Sequence, residues 1–322
     1  MELHVVFGSG QVGAPLVQEL VARGHRVRVV RRTQGAASAG VELAVGNAFD
    51  RTVCVQNAQS ATAVYHCLNV AYSTKAWADE LPKFQENLIE AAGRTGARLV
   101  VLENLYMLGR PNGPLNEHTP AQPASRKGEL RRKLSEALFA AHRAGTVKVV
   151  AGRASDLFGP GVSQSQIGEN LFARVLAGKS AQVFGDPDAL HSFSYAPDVA
   201  RGLAALGSTD EALGQPWMLP VMPQMSSRAL YEKLFAELEV EPKLQIISPF
   251  MLSMLGFFMP ALRELREMNY QWEDDFVVDD ARFRERFKFG PTPLDDALRA
   301  TAAWAVRTYG VAPSLQKASS HA

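Results

Sequence analysis

The chain is poor in features that mark several classes of protein. Its 322 residues include two cysteines, Cys54 and Cys67, which form no closely spaced motif, and this argues against a disulfide framework and a zinc-binding motif. The seven histidines are scattered without metal-ligand spacing, so no metal is predicted. Lysine and arginine total 34 against 33 aspartates and glutamates. No global field therefore recruits nucleic acid or an acidic membrane.

Long apolar segments are also scarce. The longest runs from Pro249 to Leu262 and has 14 residues, whereas a membrane-spanning helix needs about 20. The chain opens directly on the apolar run LHVVFG, which leaves no room for a signal peptide. These absences predict a cytoplasmic protein without a membrane span. Its expected partner is a small-molecule substrate, and a homodimer is left open.

Short apolar runs alternate with amphipathic stretches over the first 155 residues. Six runs predict strands: HVVFGSG, RVRVVRR, VELAVGNAFD, TAVYHCL, RLVVLEN and VKVVAGRAS. Helix-like stretches such as GAPLVQELVARG, FQENLIEAAGRTG and LRRKLSEALFAAHRAG lie between them. Strands separated by helices of this length predict right-handed βαβ units and an α/β fold with a doubly wound parallel sheet.

Beyond Phe158 the alternation weakens, which suggests a second region. GENLFARVLAG and RALYEKLFAELEV are predicted helices, and FSYAPDVARGLAAL is a strand that runs into a helix. We therefore predict a dinucleotide-binding domain over residues 1–158, with a return segment near 190–206. Residues 159–310 would form most of a substrate-binding lobe, and residues 311–322 a flexible tail.

A glycine-rich turn follows the first predicted strand and opens a helix. In VVFGSGQVGAPL, Gly8, Gly10 and Gly13 form a G-x-G-x-x-G pattern. Gly8 permits the tight turn, Gly10 admits a pyrophosphate to the backbone, and Gly13 allows close packing of helix and strand. The helix N-terminus favours the anion. This context predicts dinucleotide binding, with Gln11 and Val12 among the contacts.

The end of the second strand indicates which dinucleotide is bound. NAD-binding proteins tend to place a carboxylate there to accept the ribose hydroxyl, but this chain has Arg31 and Arg32. Two guanidinium groups suit a 2′-phosphate, so NADP(H) is predicted. The alternative is that both arginines are merely solvated. Asn47, which ends the third strand, is a candidate to hydrogen-bond the adenine.

Several ordered motifs carry a resemblance to a known family. VYHCLN, NEHTP, GRASDLFGPG and HSFSYAPDVARGL follow one another along the chain. Together they resemble the extended short-chain dehydrogenase/reductase family, the epimerase/dehydratase-like group. The resemblance implies a Rossmann-type sheet of about seven parallel strands and a small, mostly helical C-terminal substrate domain. It also implies cofactor contacts from Leu68, Asn69 and Ala154.

The active-site pattern of that family is broken here. Its members use a serine at the end of the fifth strand and a Tyr-x-x-x-Lys pair on the next helix. At the matching positions this chain has Asn104, Lys127 and Arg131, and Lys133 is a second candidate for the lysine. Neither register contains a tyrosine. The usual mechanism is therefore in doubt.

Tyr106 is the candidate replacement for the missing tyrosine. It lies two residues beyond Asn104, so both side chains would project to one face if the strand continued. Tyr106 or Lys127 would donate the proton, Asn104 would orient the oxygen, and Arg131 would bind the nicotinamide ribose. The two cations would also favour a phenolate. The alternative makes Tyr106 a core aromatic and Lys127 and Arg131 part of a solvated helix face.

The remaining candidates have structural alternatives. His66 is interpreted as structural, Asp198 as the cap of a helix, and Arg153 as internally paired near the nicotinamide, beside Asp156. Three residues are candidates to line the substrate pocket: Tyr72, His191 and Tyr195.

These observations predict an NADPH-dependent reductase of a carbonyl or similar group. Pro249 to Leu262 is rich in phenylalanine, methionine and leucine, so a hydrophobic or aromatic substrate is expected. A nucleotide sugar would need several basic residues in this lobe, and only Arg263 and Arg266 are near, beside Glu264 and Glu267. The alternatives are a non-catalytic NADP(H) sensor and a sugar-nucleotide epimerase or dehydratase.

Overall fold

A parallel sheet of seven strands organises the protein. The computed structural model describes residues 1–35, 38–247 and 264–310. The strands in this part of the chain are β1 (Leu3–Phe7), β2 (Arg26–Arg31), β3 (Val41–Val45), β4 (Ala63–His66), β5 (Arg98–Glu103), β6 (Lys148–Arg153), β7 (Asp156–Phe158), β8 (Ala181–Phe184), β9 (Leu190–His191), β10 (Phe193–Tyr195), β11 (Pro216–Met218), β12 (Met225–Ser226) and β13 (Leu244–Ile247).

The order of strands in the large sheet is β3-β2-β1-β4-β5-β6-β11, and every neighbouring pair is parallel. The first strand, β1, therefore lies in the middle of the sheet. Strands β2 and β3 extend the sheet on one side of it, and β4, β5, β6 and β11 extend it on the other. This is the doubly wound arrangement, whose ligands bind at the carboxyl ends of the strands. The six predicted sheet strands are confirmed. The seventh, β11, was not predicted because it has only three residues.

Helices cover both faces of this sheet. Those described are α1 (Gly13–Ala22), α2 (Arg51–Asn57), α3 (Thr74–Thr95), α4 (Arg126–Arg143), α5 (Glu169–Leu176), α6 (Ala196–Gly207), α7 (Ser227–Glu237), α8 (Ala281–Phe287) and α9 (Leu294–Tyr309). The prediction missed the first half of α3, which Ser73 caps by accepting a hydrogen bond from Ala76 N at 3.1 Å. Pro82 lies inside this helix, and an internal proline ordinarily indicates a break.

Successive strand residues point into two different cores. Val5 belongs to the core between the sheet and helices α2, α3 and α4, where Leu88 of α3 also lies. Val6 belongs to the core on the other face, with Leu16 of α1 and Leu203 of α6. Because both faces are buried, these strands are nearly continuous apolar runs. The same property made them recognisable in the sequence.

A smaller, mostly helical lobe has its own core. Phe172 of α5, Leu234 of α7 and Leu298 of α9 pack with Val183 of β8, which pairs in parallel with β13. Phe283 of α8 instead joins the sheet core. The predicted fold class is confirmed, and the domain limits remain a prediction. No helix among the described residues is long and apolar enough to cross a membrane.

Two local predictions are wrong. Strand β5 ends at Glu103, and Tyr106 begins a short 3₁₀ helix, Tyr106–Leu108, so Asn104 and Tyr106 do not share a strand face. Asp198 is not a helix cap, because α6 already begins at Ala196. Its buried carboxylate accepts hydrogen bonds from the N–H and hydroxyl of Thr292, both at 2.7 Å, and so ties α6 to a distant loop.

Candidate active site at the carboxyl edge of the sheet

The glycine turn between β1 and α1 is packed too closely for side chains at two of its three glycines. A Cβ on Gly13 would lie 1.8 Å from the carbonyl oxygen of Gly8, and one on Gly8 would lie 2.8 Å from Cys67 O. Gly8 also has a φ of 94°, which favours glycine. A Cβ on Gly10 would meet nothing within 4 Å. The space beside Gly10, at the N-terminus of α1, therefore fits a pyrophosphate.

The side chains of Gln11 and Val12 are engaged with the protein. Gln11 Oε1 accepts hydrogen bonds from the backbone N–H of Ser163, at 2.9 Å, and of Gln164. Val12 is 4% exposed and packs in the sheet core. Any contact that these residues make with a cofactor would thus come from their backbone.

The end of β2 lies beside this turn, since Gly8 N donates to Val30 O at 3.3 Å. Arg31 is half-buried and donates to Thr33 Oγ1 at 3.1 Å, and Arg32 is exposed. Neither arginine pairs with a carboxylate of the described residues. The pair thus remains available for an anion. Asn47 Oδ1 accepts from Phe49 N at 3.1 Å, which closes the turn after β3.

Aromatic and cationic side chains meet where β4 and β5 end. The phenol oxygens of Tyr72 and Tyr106 are 3.4 Å apart. Tyr106 stacks on Trp77 of α3 with ring centroids 5.8 Å apart, and the Arg131 guanidinium lies 4.5 Å from the centroid of the same indole. Lys127 Nζ lies 4.9 Å from the Tyr72 ring centroid. We call these five residues the aromatic cluster. It joins three of the four predicted catalytic residues.

The proton on Tyr106 is held tightly. Burial raises the pKa of Tyr106 to about 12 and the charge of Asp156 adds to this, against smaller opposing effects of Tyr72 and Arg131. Arg131 acts in the predicted direction and favours the phenolate, but the effect of burial on the pKa is larger. A neutral phenol donates a proton but is a poor general base. Asn104, the fourth predicted residue, accepts from Tyr106 N at 3.3 Å and holds the turn.

Lys127 is completely buried, so the alternative of a solvated helix face is wrong for it. Its ammonium donates to the carboxylates of Glu264 and of Glu267, the latter at 2.8 Å, and to the Glu264 carbonyl at 3.2 Å. Three N–H bonds thus meet three oxygens. Although burial pushes upward, hydrogen bonds from Lys127 and Thr74 hold the pKa of Glu264 below its ordinary value. Lys127 therefore anchors the segment that carries these glutamates.

Arg131 is partly buried. Its Nε is buried and makes no hydrogen bond with the described residues. A buried donor without an acceptor is costly, and a ligand oxygen would satisfy it. The other candidate for the family lysine, Lys133, has a side chain that is 65% exposed and pairs with Glu129 at 3.6 Å. The structure thus favours Arg131 over Lys133 as the residue that faces a cofactor.

The neighbouring candidates hold the chain in place. Burial, followed by the charge of Arg131, lowers the pKa of His66 to about 3, and its Nδ1 accepts from Leu68 N at 3.3 Å. Arg153 donates to Glu103 at 3.0 Å, as the internal pairing predicted. Ala154 is buried and Asn69 is exposed.

One segment packs over this edge through contacts that were not predicted from the sequence. Residues 264–272 bring Glu264 and Glu267 to Lys127, Tyr270 OH to Tyr106 O at 3.5 Å, and Trp272 Nε1 to Asp156 at 3.0 Å. The only local signal was the i, i+3 spacing of the two glutamates.

The predicted pocket-lining residues have different surroundings. His191 Nε2 lies 2.8 Å from the Asp156 carboxylate, beside the cluster, whereas Tyr195 packs on Phe158 in the lobe core. The predicted hydrophobic pocket wall from Pro249 to Leu262 lies outside the described residues.

Comparison with known proteins agrees with this architecture. The sequence model of the NAD dependent epimerase/dehydratase family matches residues 5–217. The chain belongs to this family. The family prediction and the prediction of an enzyme are thereby confirmed. Membership does not fix the reaction, because function depends on the site and not on the fold.

Individual relatives of this family member are diverse. A 3-diazoavenalumate denitrifying reductase from a Streptomyces species is 29% identical over 66% of this chain and 74% of its own length. UDP-glucuronic acid decarboxylase 1 of Xenopus tropicalis is 24% identical over 65% of this chain, which spans 55% of the decarboxylase. The UDP-glucuronic acid 4-epimerase of Bacillus cereus, solved with NAD, superposes with a TM-score of 0.76 at 17% identity over 95% of this chain and 97% of its own.

The glycine turn allows a matched test of packing and binding. Gly13→Ala should destabilise the protein by about 3 kcal/mol or more, because its Cβ collides with backbone. Gly10→Ala should change the free energy of unfolding by less than about 0.5 kcal/mol, yet weaken dinucleotide binding roughly tenfold. Urea unfolding and fluorescence titration measure the two effects. Equal stability losses in the two variants would contradict this account.

The anchoring role of Lys127 can be tested by comparing two lysines of helix α4. Lys127→Met removes the buried cation that Glu264 and Glu267 share and leaves Glu267 only the exposed Arg126 at 3.8 Å, so we expect a loss of on the order of 3 kcal/mol in urea unfolding. The control is Lys133→Met, the same substitution at an exposed lysine of α4, which should cost less than about 0.5 kcal/mol. Similar values for the two variants would show that the buried ion pair does not hold the segment.

Proposed function

We propose that this protein is an NADPH-dependent reductase of a small molecule. The observation that carries the proposal is the position of the partly buried Tyr106 phenol, which lies just beyond the carboxyl end of β5 and 3.4 Å from the phenol oxygen of Tyr72. The bound cofactor would supply a hydride. For a carbonyl substrate, the new alkoxide then needs one proton, and Tyr106 is placed to donate it. Tyr72, whose oxygen is 3.4 Å away and whose ring is partly exposed, would pass a proton to Tyr106 and take one up from solvent in its place.

The residues present fit a dinucleotide along its length. Backbone N–H groups from Gly8 to Gly13 would hold the pyrophosphate, and Arg31 and Arg32 the 2′-phosphate. Arg131 Nε, which is buried without a partner in the described structure, would donate to a nicotinamide ribose hydroxyl. Asn47 would contact the adenine. Leu68, Asn69 and Ala154 would line the same edge.

The protonation state of Tyr106 favours reduction over oxidation. Burial raises the pKa of Tyr106 to about 12, so the phenol is mainly neutral near pH 7. Oxidation of a hydroxyl, with which a sugar epimerase or dehydratase begins, needs a general base at this point. Asn104 adds no base, and its amide N–H₂ would orient the substrate oxygen. Epimerisation of a nucleotide sugar is therefore the weaker alternative.

The absence of the family tyrosine favours a second kind of hydride acceptor, a diazo group. A diazo group in its diazonium form takes up a hydride and leaves as N₂, with hydrogen in its place. This balance needs no proton from the protein. The Streptomyces relative is named as a denitrifying reductase of a diazo compound. A site without the usual proton donor suits such a substrate.

The Tyr106→Phe variant distinguishes a carbonyl substrate from a diazo substrate as the hydride acceptor. For ketones we expect turnover to fall by roughly 10²–10⁴, because the proton donor is lost, with little change in NADPH affinity. For an aryl diazonium salt we expect less than about threefold change, since no proton is required. NADPH consumption measures both. The control is Tyr309→Phe, a phenol in the lobe stacked on Phe172.

The same assay decides between function classes. Turnover of UDP-sugars alone would contradict a reductase of hydrophobic substrates. NADPH binding without turnover of any ketone, diazonium salt or UDP-sugar would indicate the non-catalytic sensor instead.

Cofactor preference is tested at the end of β2. The native protein should bind NADPH more tightly than NADH in a fluorescence titration. Arg31→Asp should reverse the order, because a carboxylate repels the 2′-phosphate and accepts hydrogen bonds from a ribose hydroxyl. Arg28→Asp is the control, since Arg28 lies on the same strand but donates to Glu42 at 2.8 Å. Equal affinities in the native protein would overturn the NADPH assignment.

A further inference from the structure

Three metal-ligating side chains lie at the edge of the sheet opposite the candidate active site. Glu2 and His4 stand at the start of β1, and His25 directly precedes β2. In a parallel sheet the strand starts share one edge, so this cluster is remote from the aromatic cluster at the carboxyl ends. None of the residues assigned to the reaction belongs to it.

The register of β1 and β2 explains why this cluster could not be predicted from the sequence. Arg26 of β2 pairs with Leu3 of β1, and Arg26 N donates to Glu2 O at 3.0 Å. His25 is thereby placed beside Glu2, although helix α1 separates them along the chain. The histidine spacing alone predicts no metal, because the contact depends on strand pairing.

The distances within the cluster suit a shared ion better than hydrogen bonds. Glu2 Oε2 lies 3.5 Å from His4 Nε2 and 3.6 Å from His25 Nδ1. Good N–H···O bonds have heavy-atom distances of about 2.7–3.2 Å. In a tetrahedral zinc site with bonds of about 2.0–2.1 Å, neighbouring ligand atoms are about 3.4 Å apart. One ligand atom from each residue lies within 4.8 Å of the others.

The inner ligand is fixed in orientation. His4 is fully buried, and its Nδ1 lies 2.9 Å from the hydroxyl of Tyr65, so that Nε2 is turned toward Glu2. A hydrogen bond on the second ring nitrogen is the usual way in which proteins orient a metal-bound histidine. His25 lies beside it with ring centroids 4.1 Å apart and the ring planes tilted by 42°, and its side chain is 18% exposed. An ion could therefore enter from solvent.

We propose that Glu2, His4 and His25 bind one divalent transition-metal ion of the zinc type. Two imidazoles and one carboxylate are ligands that zinc commonly takes, and water would complete a tetrahedron. The ion would fasten the start of β1 to the turn between α1 and β2. Its role is structural, since the cofactor edge lies at the far ends of these strands.

The test uses the full chain without an affinity tag. Zn²⁺ titration by calorimetry should show one site, and Co²⁺ should give the visible absorption bands of tetrahedral coordination. Thermal unfolding should shift upward by several degrees with saturating Zn²⁺. Weak binding at several sites without tetrahedral bands would overturn the proposal.

Matched variants locate the site. His25→Ala removes the most accessible ligand and Glu2→Gln keeps the side-chain size, so both variants should fold and both should lose at least tenfold in affinity for Zn²⁺. His118→Ala removes an exposed histidine from a different loop and should bind as the native chain does. Unchanged affinity in His25→Ala would overturn the proposal, whatever the outcome for NADPH.

Discussion

The neutralised charge of Lys127 is the constraint on which the candidate site depends. A buried ammonium is tolerated only when oxygens satisfy it, and here Glu264 and Glu267 do so. Glu264 also accepts two hydrogen bonds from Thr74 at the start of α3, so one ion pair joins α3, α4 and the segment 264–272. That segment in turn places Trp272 against Asp156. Without the ion pair, the segment would keep only the neutral hydrogen bonds of Thr74 and Tyr270 and the bond from Trp272 to Asp156 as its contacts with this edge.

The aromatic cluster is the chemical consequence of this closure. The ring of Tyr106 and the guanidinium of Arg131 both contact Trp77. Burial makes Tyr106 hard to ionise, and the buried Nε of Arg131 has no hydrogen-bond partner in the described structure. The phenol of Tyr106 therefore keeps its proton, and the Nε–H of Arg131 can donate a hydrogen bond to a ligand oxygen.

The parts that could be predicted from sequence are those governed by local rules. Buried parallel strands are nearly continuous apolar runs, and the glycine spacing follows from one backbone turn, so both were recognisable. Strand β11 was too short to be predicted, and the first half of α3 was not predicted because it contains Pro82. The ion pairs of Lys127 span 137 and 140 residues. No periodicity encodes such contacts, because they depend on how the lobe returns to the sheet.

The lysine at the family's tyrosine position also constrains how this protein can diversify. A tyrosine at position 127 would place a neutral phenol beside two carboxylates, and Glu267 would keep only the exposed Arg126 at 3.8 Å as a cation. A phenol would therefore be tolerated there only together with changes at Glu264 and Glu267. The buried ion pair thus couples the choice of residue at position 127 to two residues in a distant part of the sequence.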